Sequence, residues 1–138
     1  NSSYDHDFFE ALFATVSFSN LIHLFNDSLE PKIFPSGFFE LFDTLEIFNR
    51  TAQPDLLSQD LKEAYVIWVD AVYRFHEQLL GIDQFDYVFE NQTFVMKRIP
   101  YPQFQGVCNE VSAAFVSLTQ GTTQLAGLVA EKLRIAVR

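Results

Sequence analysis

A chain of 138 residues, 49% of them hydrophobic, is long enough to bury one core of its own and is read as a single domain over residues 1–138. Eighteen acidic residues against nine basic ones leave a net charge of −9. That balance argues against a phosphate-backbone surface, which needs clustered Lys and Arg, so no nucleic acid is expected as a partner. There is no apolar run of about 18 residues, so no transmembrane segment is expected.

The first helix is predicted from about Asp7 to Phe25. Asp7, with Glu10 three residues on, forms a capping-box pattern, and Asp5 is the alternative cap. Phe9, Leu12, Phe13, Val16 and Asn20 fall on one stripe, widened by Phe8, Leu21, Ile22 and Phe25. Pro31 and Pro35 bracket an irregular link, Lys32-Ile33-Phe34. Ser36 is the expected N-cap of a second helix to about Asn49. Here Phe38, Leu41, Phe42, Leu45 and Phe48 follow helical spacing, and Phe39 and Ile47 form a second apolar strip. After a polar link, Pro54 suits the first turn of a third helix that ends near Leu80. Its stripe is Leu57, Leu61, Ala64, Trp68, Ala71, Phe75 and Leu79. Gly81 stands where a left-handed C-cap is expected.

Residues 82–99 break the helical period. Phe85, Tyr87 and Phe89 alternate with other residues, and Thr93 to Met96 is β-prone. The segment therefore reads as a short hairpin with Asn91 at its tip, or as an irregular loop. Pro100 and Pro102 end it. The last helix is predicted from about Gln103 to Val137. Phe104, Val107, Val111, Phe115, Leu118, Thr122, Leu125, Val129 and Leu133 make its stripe. Gly121, Thr122 and Thr123 predict a kink or break in its middle. The expected fold class is all-α, an antiparallel bundle of three to five helices with an irregular or short β-hairpin insertion around 82–99.

Four of the six asparagines, Asn1, Asn26, Asn49 and Asn91, stand two positions before a Ser or Thr. Ser and Thr make up only 16 of the 138 residues, so chance does not produce this share. The sequons predict a secreted, extracellular glycoprotein with those positions on the surface. Three of them, Asn26, Asn49 and Asn91, are expected in links between helices. Cys108 is the single cysteine, so no internal disulfide can form. Its place between Val107 and Val111 predicts burial.

Catalytic chemistry finds no support in the sequence. His6, His23 and His76 show no metal-ligand spacing, so no metal and no cofactor is expected. There is no nucleophile elbow and no glycine-rich phosphate loop. No cation flanks Cys108 to activate it. A non-enzymatic module is expected, with no catalytic residue.

Sixteen phenylalanines are more than one small core needs. The aromatic candidates for function are Phe38, Phe39, Phe42, Phe48, Trp68, Phe75, Phe104 and Phe115. If the surplus faces outward, the protein assembles with itself or with an extracellular protein partner. If it encloses a void between helices, the protein binds a lipid or another apolar small molecule. Assembly is the preferred reading and ligand binding the alternative. The last helix carries no sequon and is the expected docking surface. Lys132, Arg134 and Arg138 at its end are placed to meet the acidic N-terminal segment of a neighbour.

Overall fold

The computed structural model describes residues 2–52 and 55–136. Over these residues the protein is mostly helical, with five α-helices and a three-stranded antiparallel sheet. The helical expectation of three to five helices is met, and the sheet is more than the short insertion anticipated at 82–99.

The predicted first helix is two helices, α1 (Ser2–Thr15) and α2 (Phe18–Asp27), bent by 48°. Ser17 leaves helical geometry and its hydroxyl accepts from the Asn20 N–H at 3.2 Å, which caps α2. The apolar stripe runs through the bend without a gap, because Phe9, Leu12, Phe13, Val16, Phe18 and Leu21 are all buried. Neither expected cap of α1 acts as one. Asp5 lies inside the helix, 2% exposed, and its carboxylate accepts from Leu57 N–H at 2.8 Å and Ser58 N–H at 2.9 Å.

The link between the prolines is a strand, β1 (Ile33–Pro35). It leads into α3 (Phe38–Thr51), whose start has no side-chain cap. Ser36, the expected cap, instead donates its N–H to the Gln92 carbonyl at 2.9 Å, tying β1 to the hairpin. On α3 the stripe Phe38, Leu41, Phe42, Leu45 and Phe48 is buried as its spacing requires.

Helix α4 spans Gln59–His76, capped by the Ser58 hydroxyl at 3.4 Å from Leu61 N–H. The stripe is right from Leu61 onward, but Leu57 is 58% exposed and Leu56 takes the buried place. Pro54 lies outside the described residues. A π-helical turn, Glu77–Gly81, follows α4. No described glycine has a positive φ, so Gly81 is not the left-handed cap its position suggested. The buried Gln84 amide closes this corner, donating to the Gln78 carbonyl at 3.0 Å and to its side-chain oxygen at 2.7 Å.

The hairpin reading of 82–99 holds: β2 (Phe85–Val88) pairs with β3 (Thr93–Met96). Strand order is β1-β3-β2, with Phe34 opposite Phe94 and Phe94 opposite Tyr87. Phe34, Phe85 and Phe94 are buried, so this sheet face closes over the helices.

Helix α5 (Gln103–Leu133) is continuous through Gly121–Thr123, where a break was expected. At 1.5 Å per residue it is about 46 Å long. The weak helix formers sit where α4 comes closest. A Cβ on Gly121 would stand 3.5 Å from the Trp68 Cα. The Thr122 hydroxyl accepts from the Trp68 indole at 3.0 Å and donates to its own helix at Leu118 at 2.7 Å. Tertiary contact here overrides intrinsic propensity. Lys132–Asp60, Thr122–Trp68 and Ser117–Arg74 contacts run in opposite directions along the two helices, so α4 and α5 are antiparallel.

Candidate interaction surfaces

The eight aromatic candidates separate into core and surface. Phe38, Phe42, Phe48, Trp68 and Phe75 are buried. Their rings pack on one another and on neighbouring helices. Phe38 meets Phe75 at 4.9 Å, Phe8 meets Phe48 at 5.4 Å, and Phe18 meets Trp68 at 5.1 Å. These contacts fall within the range of favourable aromatic pairs, so the five serve the core. Phe115 is half-buried against Phe25 and Phe75. Phe104 is half-buried under the Lys32 ammonium, 5.1 Å from its ring centre. Phe39 is 38% exposed and rests on Phe94 and Tyr87.

None of the eight lines either of two clefts among the described residues. One, of about 350 Å³, lies where α1 and α2 meet α3 and is bordered by Phe13, Leu21, Leu24, Leu41, His23 and Glu40. The other, of about 430 Å³, is open and lies between the π turn and the start of α5. The burial of so many Phe side chains in direct ring contact accounts for much of the surplus seen in the composition.

The exposed apolar residues are mostly others: Phe89 and Tyr101, about four-fifths exposed, and Leu29, Leu57, Ile47 and Ile67. Helical periodicity hides Leu29, Phe89 and Tyr101, which lie in loops or turns, and Ile67, which lies off the α4 stripe; Leu57 was expected on that stripe and Ile47 on the second strip of α3, and both are exposed. The outer face of α5 is uncharged through its middle. Between Glu110 and Glu131 the helix carries no ionisable residue. Ala113, Val116, Gln120, Thr123, Gly127 and Ala130 are exposed there. A Cβ on Gly127 would meet nothing within 4 Å, so the fold itself does not require that glycine.

At the basic end of α5, Arg134 is exposed and caps the helix in the left-handed conformation. Lys132 pairs with Asp60 of the same chain at 3.3 Å. Arg138 lies outside the described residues.

The sequon positions sit differently from the expectation that all are in links. Asn26 is exposed in the last turn of α2 and Asn91 is exposed in the β2–β3 loop. Asn49 lies within α3 and is half-buried. Its side-chain oxygen accepts from the Tyr65 hydroxyl at 2.9 Å and its amide donates to the Tyr73 hydroxyl at 3.1 Å. An N-linked sugar replaces one amide hydrogen and leaves the other for Tyr73. Asn1 lies outside the described residues. Cys108 is half-buried, not buried, and unpaired.

Burial pushes the Tyr65 phenol above its ordinary range, and the nearby Tyr73 adds to the shift. Lys97 donates to Asp83, which holds its ammonium above the usual lysine range, with Asp86 at 3.8 Å adding to the effect. Among the described residues no group of three or more His, Cys, Asp or Glu is placed to hold a metal ion. Among them also, no single helix is long and apolar enough to cross a membrane. No protein-family model, curated protein or solved structure matches this chain.

Proposed function

We propose that the protein is a secreted, N-glycosylated, non-enzymatic helical module that acts by protein–protein assembly, with itself or with an extracellular partner. The observation that carries this reading is the outer face of α5. It is long, uncharged between Glu110 and Glu131, and lined by exposed residues that are mostly small, with Val116 and Gln120 among them. Charge is depleted at the centres of protein interfaces, and small side chains let a second helix approach closely. Asn26 in α2, Asn49 in α3 and Asn91 in the hairpin lie on other elements, so no sequon falls on the α5 face itself.

The alternative, binding of a lipid or another apolar molecule between helices, has weaker support, because the candidate phenylalanines are spent on one another rather than on a void. The experiment is the native mass of protein from a glycosylating secretory host. The expected result is a multiple of the glycosylated chain or a complex with a second protein, reduced to one chain by Val116→Glu together with Gly127→Glu. A wild-type monomer carrying a few hundred daltons of apolar ligand would favour the alternative. A bare monomer, or an assembly that ignores both substitutions, would refute the α5 reading.

A further inference from the structure

The loop joining β2 to β3 places an exposed ring, a sequon asparagine and its threonine within five residues, Phe89-Glu90-Asn91-Gln92-Thr93. Phe89 is 79% exposed, more than any other described phenylalanine. Tyr87 meets it edge-to-face at 4.9 Å and leaves most of the ring to water. Among the described residues no ring other than Tyr87 packs on it, although the chain buries most of its other phenylalanines. Asn91 stands two positions further on and is exposed. The Thr93 hydroxyl donates to the Asn91 side-chain oxygen at 2.6 Å, which orients the amide. Gln92 takes the left-handed conformation, φ 53°, and this reversal brings Thr93 back into register with Val88.

We propose that the first N-acetylglucosamine of a glycan on Asn91 stacks on the Phe89 ring and fastens the hairpin. This rests on the glycosylation proposed above. The chemistry is complementary. A chair-form sugar presents C–H groups polarised by neighbouring oxygens, and an aromatic face is electron-rich. Stacking also withdraws apolar ring surface from water. Asn91 and Phe89 stand two residues apart in the same turn, outside both strands, so the contact involves the turn and not the strand pairing. The short loop fixes both groups in advance, which limits the entropy lost on contact. An exposed ring beside an acceptor asparagine is then a receiving surface for the modification.

The test uses wild type, Phe89→Leu and Phe89→Tyr from a glycosylating secretory host, with peptide mapping of each sequon. Thermal unfolding is followed on three forms: intact, trimmed by an endoglycosidase to one sugar, and stripped by an amidase. Wild type and Phe89→Tyr should keep their Tm on trimming and lose about 3–5 °C on stripping. Phe89→Leu should lose less than half as much. Sugars at the other sequons contribute alike to all three proteins, so the difference isolates the contact of Asn91 with residue 89. Equal losses in wild type and Phe89→Leu would overturn the inference. So would an unmodified Asn91 on protein glycosylated at Asn26 or Asn49, which would leave the secretion reading standing. Unmodified asparagines throughout would sink both.

Discussion

Thr122→Val tests the seam between α4 and α5 at its centre. The hydroxyl of Thr122, 1% exposed, is the acceptor for the Trp68 indole N–H at 3.0 Å, and Trp68 is itself fully buried. Valine keeps the shape and has similar helix propensity, so packing and α5 should survive. What disappears is the acceptor. A buried donor left without a partner costs about 1–3 kcal/mol, and the added methyl offsets up to about 0.8 kcal/mol. The net expectation is a loss of about 1–2 kcal/mol, or about 4–8 °C in Tm for a chain of this size. Chemical denaturation of Thr122→Val, Trp68→Phe and the double variant supplies a cycle. Trp68→Phe should cost about 1 kcal/mol less in the valine background, because the indole N–H is already orphaned there. Trp68→Ala should cost about 3–5 kcal/mol through the cavity it leaves. An unchanged Tm for Thr122→Val, with an additive cycle, would refute the claim that this hydrogen bond is why a threonine sits in mid-helix.

Asp5→Ala should destabilise the protein by about 2–3 kcal/mol, because two backbone N–H groups ahead of α4 lose a charged acceptor; a change below about 0.5 kcal/mol in urea denaturation would show that water replaces it. Cys108 should react with a thiol reagent in the native state, more slowly than in denaturant, since it is half-buried; complete native protection would contradict its exposure. Alkaline pH should weaken the fold. The folded Tyr65 phenol has a pKa above its unfolded value, near 10, so its contribution is complete below that pH and is lost as pH rises toward the folded value. Tyr65→Phe should remove part of the stability loss seen above about pH 10, and an identical alkaline unfolding curve would speak against the shift.

Periodic burial was the legible part of this fold. The stripes on α3 and on α4 from Leu61 are buried, and the α5 stripe is buried at Val111, Leu118, Thr122, Leu125 and Val129 and half-buried at Phe104, Val107, Phe115 and Leu133, because a helix packed on one side must repeat its apolar positions. The bend at Ser17 was not legible. Val16 and Phe18 keep the apolar surface continuous across it, so hydrophobicity carries no mark of the break. Strand β1 was hidden for a different reason. Its partner Thr93–Met96 is remote in sequence, and two prolines made the link look irregular. Asp5 was read as a cap for its own helix because local patterns point to local partners. Its partners are Leu57 and Ser58, 52 and 53 residues away. Among the aromatic candidates, composition signalled a surplus, but ring-on-ring packing decides which rings are spent. Phe89 stood out only once its exposure was known.

The sheet order carries a consequence for how the chain comes together. The middle strand, β3, is the last of the three in sequence. Until Thr93–Met96 exists, neither Ile33–Pro35 nor Phe85–Val88 has its β3 partner to pair with. In a growing chain the residues of α1 through α4 therefore precede the strand partner of Phe34. One four-residue segment closes both halves of the sheet together. Ribosome-stalled chains ending before residue 93 should be open to protease at Ile33–Pro35, and chains extended past the sheet should be closed there.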